Sequence, residues 1–129
     1  VPDKRPPDYT EGLGELIRAY RAYTGLSPRS MALKIGMGEK SLSDIEYGRR
    51  ACPPGLIDSI LHVLAVFERD VEKAIDVAKS SQATENEPFE MPVDGDPRLE
   101  WQRAVIGRAA VDSGLILPIL VGDRHPRRS

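Results

Sequence analysis

The sequence predicts a mostly α-helical protein: a bundle of short helices with a long fourth helix, then a small C-terminal helix-plus-strand region. Three observations predict this. Apolar residues keep a helical period in successive stretches between Leu13 and Ala78. Glycines and prolines punctuate those stretches at Gly25, at Gly36-Met37-Gly38, at Gly48 and at Cys52-Pro53-Pro54. The last apolar segment, Leu115–Val121, is partly β-branched and reads as a short strand or an extended edge. At 129 residues the chain suits one compact domain, or a small domain with an appendage, and is too short for a large α/β enzyme fold.

Residues 1–9 hold three prolines and four charges and read as a flexible arm. A first helix is expected from Thr10, as N-cap, through Leu13, Leu16, Ile17, Tyr20 and Tyr23, ending at Gly25. Ser27-Pro28 restarts the chain, since serine caps a helix and proline suits its first position. Met31, Ala32 and Ile35 form the inner side of this second helix. Gly36-Met37-Gly38 is a tight turn whose two glycines can take positive φ. A third helix covers Glu39–Tyr47, with Leu42 and Ile45 inward. After Pro53-Pro54, an amphipathic stretch runs from Leu56 to about Lys79 without Pro or Gly, so residues 10–79 read as one domain. The acidic, Pro-containing residues 80–97 read as a linker with Phe89 and Met91 as anchors. Residues 98–129 form a C-terminal segment: a helix through Leu99, Trp101, Val105, Ile106 and Ala109, then Leu115–Val121 and a basic tail.

Charge is distributed unevenly. The total of -2 argues against a nucleic-acid binder when taken whole. Yet Leu16–Gly55 holds seven basic against three acidic residues, while Ser80–Pro97 holds five acidic and no basic ones. From Arg98 onward the balance is six basic to three acidic. A basic block is therefore masked by an acidic connector. One cysteine, Cys52, excludes an intrachain disulfide and a multi-cysteine zinc site, and His62 and His125 lie far apart, so no metal or cofactor is expected. No signal-peptide pattern opens the sequence and no apolar run is long enough to span a bilayer, so a cytoplasmic, membrane-free protein is expected. Asp58 and His62 stand four apart on the long helix without a Ser or Cys nucleophile placed with them, and nothing else supports an enzyme.

The informative segment is Glu15–Pro54, where two short helices joined by a glycine turn sit between flanking helices as a helix-turn-helix. In such a motif the second helix crosses the phosphate backbone while the third offers its outer side chains to the major groove, which is wide enough to admit it. The outer face of the third helix carries Glu39, Lys40, Ser43 and Asp44, hydrogen-bonding types suited to base edges, with Ser41 at its border. Ser27, Arg29, Ser41, Arg49 and Arg50 flank the motif and are the candidates for phosphate contact.

The run from Leu26 to Arg50 resembles the lambda-repressor-like, or Xre-type, helix-turn-helix family. The resemblance rests on Gly25-Leu26-Ser27, Met31-Ala32, Gly36-Met37-Gly38 and Ile45-Glu46-Tyr47-Gly48-Arg49, about a third of the chain. It implies a DNA-binding helical bundle, and it implies that Glu46 pairs with Arg21 as a structural salt bridge. Two positions depart from the family pattern: Pro28 replaces the usual Gln after the capping serine, and Gly38 replaces a usual Ser. Each removes a DNA contact. Beyond the motif, Gly48-Arg-Arg-Ala-Cys-Pro-Pro and Trp101-Gln-Arg-Ala-Val-Ile are similar to stretches in anti-CRISPR-associated autoregulators, whose C-terminal region dimerises.

The sequence thus leads to a dimeric regulator, a repressor of phage or mobile-element type, reading a pseudo-palindrome in double-stranded DNA. A 32-residue C-terminal segment buries little apolar area alone, so Phe67, Val71, Ile75, Trp101, Val105, Leu115, Ile116 and Leu117 are assigned to a homodimer interface. The alternative is an antitoxin or adaptor that uses its C-terminal half to hold a partner protein.

Overall fold

The computed structural model describes residues 10–122, so the arm over residues 1–9 and the basic tail from Arg124 lie outside the described residues. The chain divides into two compact units that meet at Val66 and Phe67. That boundary falls inside the long helix, where the sequence placed the whole helix in the first domain.

The first unit contains α1 (Gly14–Thr24), α2 (Pro28–Ile35), α3 (Glu39–Glu46) and the opening turns of α4 (Leu56–Ser80). Its fully buried side chains include Ile17, Met31, Leu42, Ile45 and Ile60, drawn from all four helices. Thr10 does not cap α1. Its backbone pairs with Cys52 in an isolated antiparallel bridge, N to O at 3.0 Å and O to N at 2.9 Å. Those hydrogen bonds hold Thr10 extended, so helix begins only after the chain has turned. Leu13 occupies the N-cap position without a side-chain hydrogen bond.

Gly14, the first residue of α1, sits directly against the end of α3. A Cβ at this position would lie 2.5 Å from the Ile45 carbonyl oxygen and 2.7 Å from that of Glu46. Packing of α1 on α3 therefore needs glycine here for closeness.

The second unit contains the rest of α4, β1 (Phe89–Val93), α5 (Glu100–Ser113) and β2 (Ile116–Leu120). The segment expected as a linker holds a strand. β1 pairs with β2 in parallel, from Phe89 opposite Ile116 to Val93 opposite Leu120. Parallel neighbours need a crossover, which α5 supplies. Asp96 starts that crossover by accepting from the Arg98 backbone N–H at 2.9 Å, capping a short 3-10 turn over Pro97–Leu99.

A core of Phe67, Val71, Ala78, Met91, Val105, Ala109 and Ile116 closes this unit. Ile75, Trp101 and Leu115 pack against it, and Leu117 is half-buried. Trp101 meets Phe67 edge to face, with ring centroids 5.5 Å apart, and its Nε1 donates to Asp70 Oδ2 at 2.9 Å. The apolar residues of α5 and β2 are not left to bury area alone, because α4 contributes Phe67, Val71 and Ala78 and β1 contributes Met91 to the same core. Phe67, Val71, Val105 and Ile116, assigned to a dimer interface, are buried by the chain's own side chains.

Candidate nucleic-acid interface

The geometry of α2 and α3 follows from their ends. Ser27 is extended, and its Oγ accepts from the Ser30 N–H at 3.2 Å while Pro28 takes the first helical position. That hydroxyl, a phosphate candidate, thus already caps α2. At the other end Gly36 adopts φ 72°, and the Met37 N–H donates to the Ala32 carbonyl at 2.9 Å. This left-handed closure turns the chain at once into α3. Gly38 does not use positive φ as expected: at φ -71°, ψ 146° it is the extended N-cap of α3, with no side chain to cap with.

α3 is held from behind by one buried ion pair. Arg21 on α1 donates Nε to Glu46 Oε2 and Nη2 to Oε1, both at 2.9 Å, and Nη1 to the Leu26 carbonyl at 3.1 Å. The Glu46 side chain is 3% exposed and that of Arg21 18%. The two-pronged geometry fixes both distance and rotation of the pair. It ties the end of α1 to the last turn of α3 and to the loop before α2, and neither group faces outward.

The outward face of α3 carries Glu39 and Lys40, both exposed, with Ser41, Ser43 and Asp44 half-buried. Asp44 is not a free acceptor. Lys40 Nζ reaches its Oδ2 at 3.1 Å and Arg49 Nε its Oδ1 at 3.3 Å. The Lys40 hydrogen bond, and the positive charges of Lys40, Arg49 and Arg50, hold the Asp44 carboxyl below the usual aspartate value. A depressed carboxyl stays ionised at neutral pH, so this clamp is present above the unfolded value and is lost only as acid takes the pH through the lowered one.

Sequence reading missed Tyr47. It is 61% exposed at the end of α3, with the Arg49 guanidinium 5.2 Å and the Arg18 guanidinium 5.5 Å from its ring centre. Such cation–π contacts draw two arginines together beside the end of α3. An aromatic flanked by Arg49 was visible in the sequence, but Arg18 comes from α1 and is joined to it only by the fold. Arg29 on α2 and Arg50 beyond α3 are exposed.

Burial pushes the Cys52 thiol up, away from a reactive thiolate. Among the described residues no cluster of His, Cys, Asp and Glu could hold a metal, and no helix is long and apolar enough to cross a membrane.

Residues 12–77, just over half of the chain, match the family model described as "Helix-turn-helix domain". An "Uncharacterized HTH-type transcriptional regulator" of Archaeoglobus fulgidus is similar at 25% identity over 122 residues, covering 81% of this chain and 52% of that protein. The chain therefore spans about half the length of this relative. No solved structure matches it.

Proposed function

The chain belongs to the helix-turn-helix domain family, and from that premise we propose that it is a DNA-binding transcriptional regulator whose α3 enters the major groove. The observation that carries this reading is the pairing of Arg21 with Glu46, which presents the polar face of α3 outward while its apolar face is buried. Glu39, Lys40 and Ser43 then read base edges, while Asp44, first expected among them, positions Lys40 and Arg49 instead. Arg29, Ser41, Arg49 and Arg50 contact phosphates, and Ser27 does so through the α2 terminus that it caps. Similarity to a protein named as a transcriptional regulator supports the same reading.

The regulator acts as a homodimeric repressor on a pseudo-palindrome, with recognition helices roughly 34 Å apart. Ile75, Leu115 and Leu117 on the second unit, half-buried in one chain, together with Val111 at 83% exposure, are the apolar surface offered to a second copy.

Mobility shifts on DNA selected from a random library test the reading. Replacing Lys40 and Ser43 together by alanine is expected to weaken the selected site by tenfold or more, since a well-made base contact contributes about 1–3 kcal/mol of discrimination. An unchanged shift would overturn the assignment. Asp44→Asn is expected to act in the opposite sense on random DNA. With Lys40 and Arg49 freed, non-specific affinity rises several-fold and the salt dependence steepens by about one counterion. The ratio of specific to non-specific affinity falls.

An adaptor or antitoxin reading is favoured by one observation: acid stands on the recognition face and ties down two of its cations. A folded monomer that ignores all selected DNA would support that reading over ours.

A further inference from the structure

The second unit holds a cavity of about 370 Å³ whose walls include Asp70, Met91, Trp101, Val105 and Ile106. The volume lies at the lower end of the roughly 300–1,000 Å³ usual for small-molecule sites. Its walls are mostly apolar, with Asp70 as the one charged group and Gln102 as a neutral polar one. Asp70 Oδ2 accepts from Trp101 Nε1 at 2.9 Å, which fixes the carboxylate on the cavity wall. Among the described residues no Lys, Arg or His forms a salt bridge with Asp70, so this acid lines the site without a paired countercharge. Trp101 itself is held edge to face by Phe67 in the core, so both the acid and the indole are positioned before any ligand arrives.

An anchored anion on an apolar wall selects its ligand by charge and by shape. We propose that this cavity binds a small organic cation, a primary amine carrying an apolar or aromatic body, as a ligand site separate from α3. The ammonium group pairs with Asp70, and the body lies against Met91, Val105, Ile106 and the indole. The indole adds attraction of its own, since its face is electron-rich and draws a cation. A carboxylate of the same shape would be repelled, and a neutral alcohol would leave Asp70 without a countercharge. The proposal does not rest on DNA binding.

Trp101 is the one tryptophan in the chain, so its fluorescence reports this cavity alone. The full chain is titrated with phenethylamine, 2-phenylethanol and 3-phenylpropionate. The expected result is a saturable change with phenethylamine, at least tenfold weaker binding of the alcohol, and none of the carboxylate. Asp70→Asn keeps an oxygen to accept from Trp101 and is expected to remove the preference for the amine while leaving the unfolding midpoint nearly unchanged. No saturable change with the amine, equal binding of all three probes, or an undiminished amine preference in Asp70→Asn would each overturn the proposal. The three-probe comparison on the unaltered chain decides the matter even if the variant fails to fold.

Discussion

Gly14→Ala lowers the stability of the first unit by about 3 kcal/mol or more, at the upper end of what overpacking costs. Helix propensity alone points the other way, because alanine is favoured over glycine by about 1 kcal/mol inside a helix. Contact decides the sign. The added methyl would stand 2.5 Å from one backbone oxygen and 2.7 Å from another, and both belong to the last turn of α3 rather than to a flexible side chain that could swing away. Relief requires α1 to move off α3, which pulls on the Arg21–Glu46 pair as well. For a unit of this size the midpoint of its thermal transition should fall by roughly 12 °C or more. Gly38→Ala is the control. The nearest atom to its Cβ would be the Ser41 hydroxyl at 3.9 Å, and φ is -71°, so the midpoint should barely move. Equal behaviour of the two variants would refute the close approach.

Glu46→Ala is expected to cost about 3 kcal/mol, the lower end for breaking a buried pair. The loss arises from stranding the Arg21 guanidinium against Leu26, with two of its hydrogen bonds gone. Its 18% exposure lets water recover part of the charge, which is why the lower end applies. Glu46→Gln keeps one acceptor for Arg21 and should lose less. Replacing both partners, as Arg21→Met with Glu46→Leu, should restore much of the stability, because no buried charge is left unpaired. Urea unfolding of the two singles and the double gives the coupling directly. Singles within about 1 kcal/mol of the parent would mean that the pair does not hold α3. DNA binding in the double variant should remain weakened, since apolar packing does not fix rotation as a two-pronged pair does.

The outer face of α3 was legible because it needs only the helical period. Once Leu42 and Ile45 are inward, Glu39, Lys40, Ser43 and Asp44 must lie on the other side. What each of them does there was not legible. Asp44 reads as a base acceptor in sequence, but Arg49 turns back from the following turn and occupies it jointly with Lys40. The role of Tyr47 was not legible either, because it depends on Arg18, which approaches from a different helix. The acidic stretch read as a linker for a similar reason. Phe89–Val93 contains a proline and alternates weakly, and only its pairing with β2 makes it a strand.

By itself the sequence determined the helices of the first unit, their stops, and the turn that joins α2 to α3. These are local matters, governed by apolar period, by a serine cap and by glycine in a left-handed closure, all within a few residues. The tertiary structure decided three things. Gly14 became the point of contact between α1 and α3, α4 was divided between two units, and the apolar residues of the C-terminal half became a core of their own chain. Each depends on residues far apart in sequence meeting at fixed distances. No local period encodes that meeting, so an exposed-looking apolar stripe on a long helix reads the same whether its cover comes from a second copy or from a strand further along the chain.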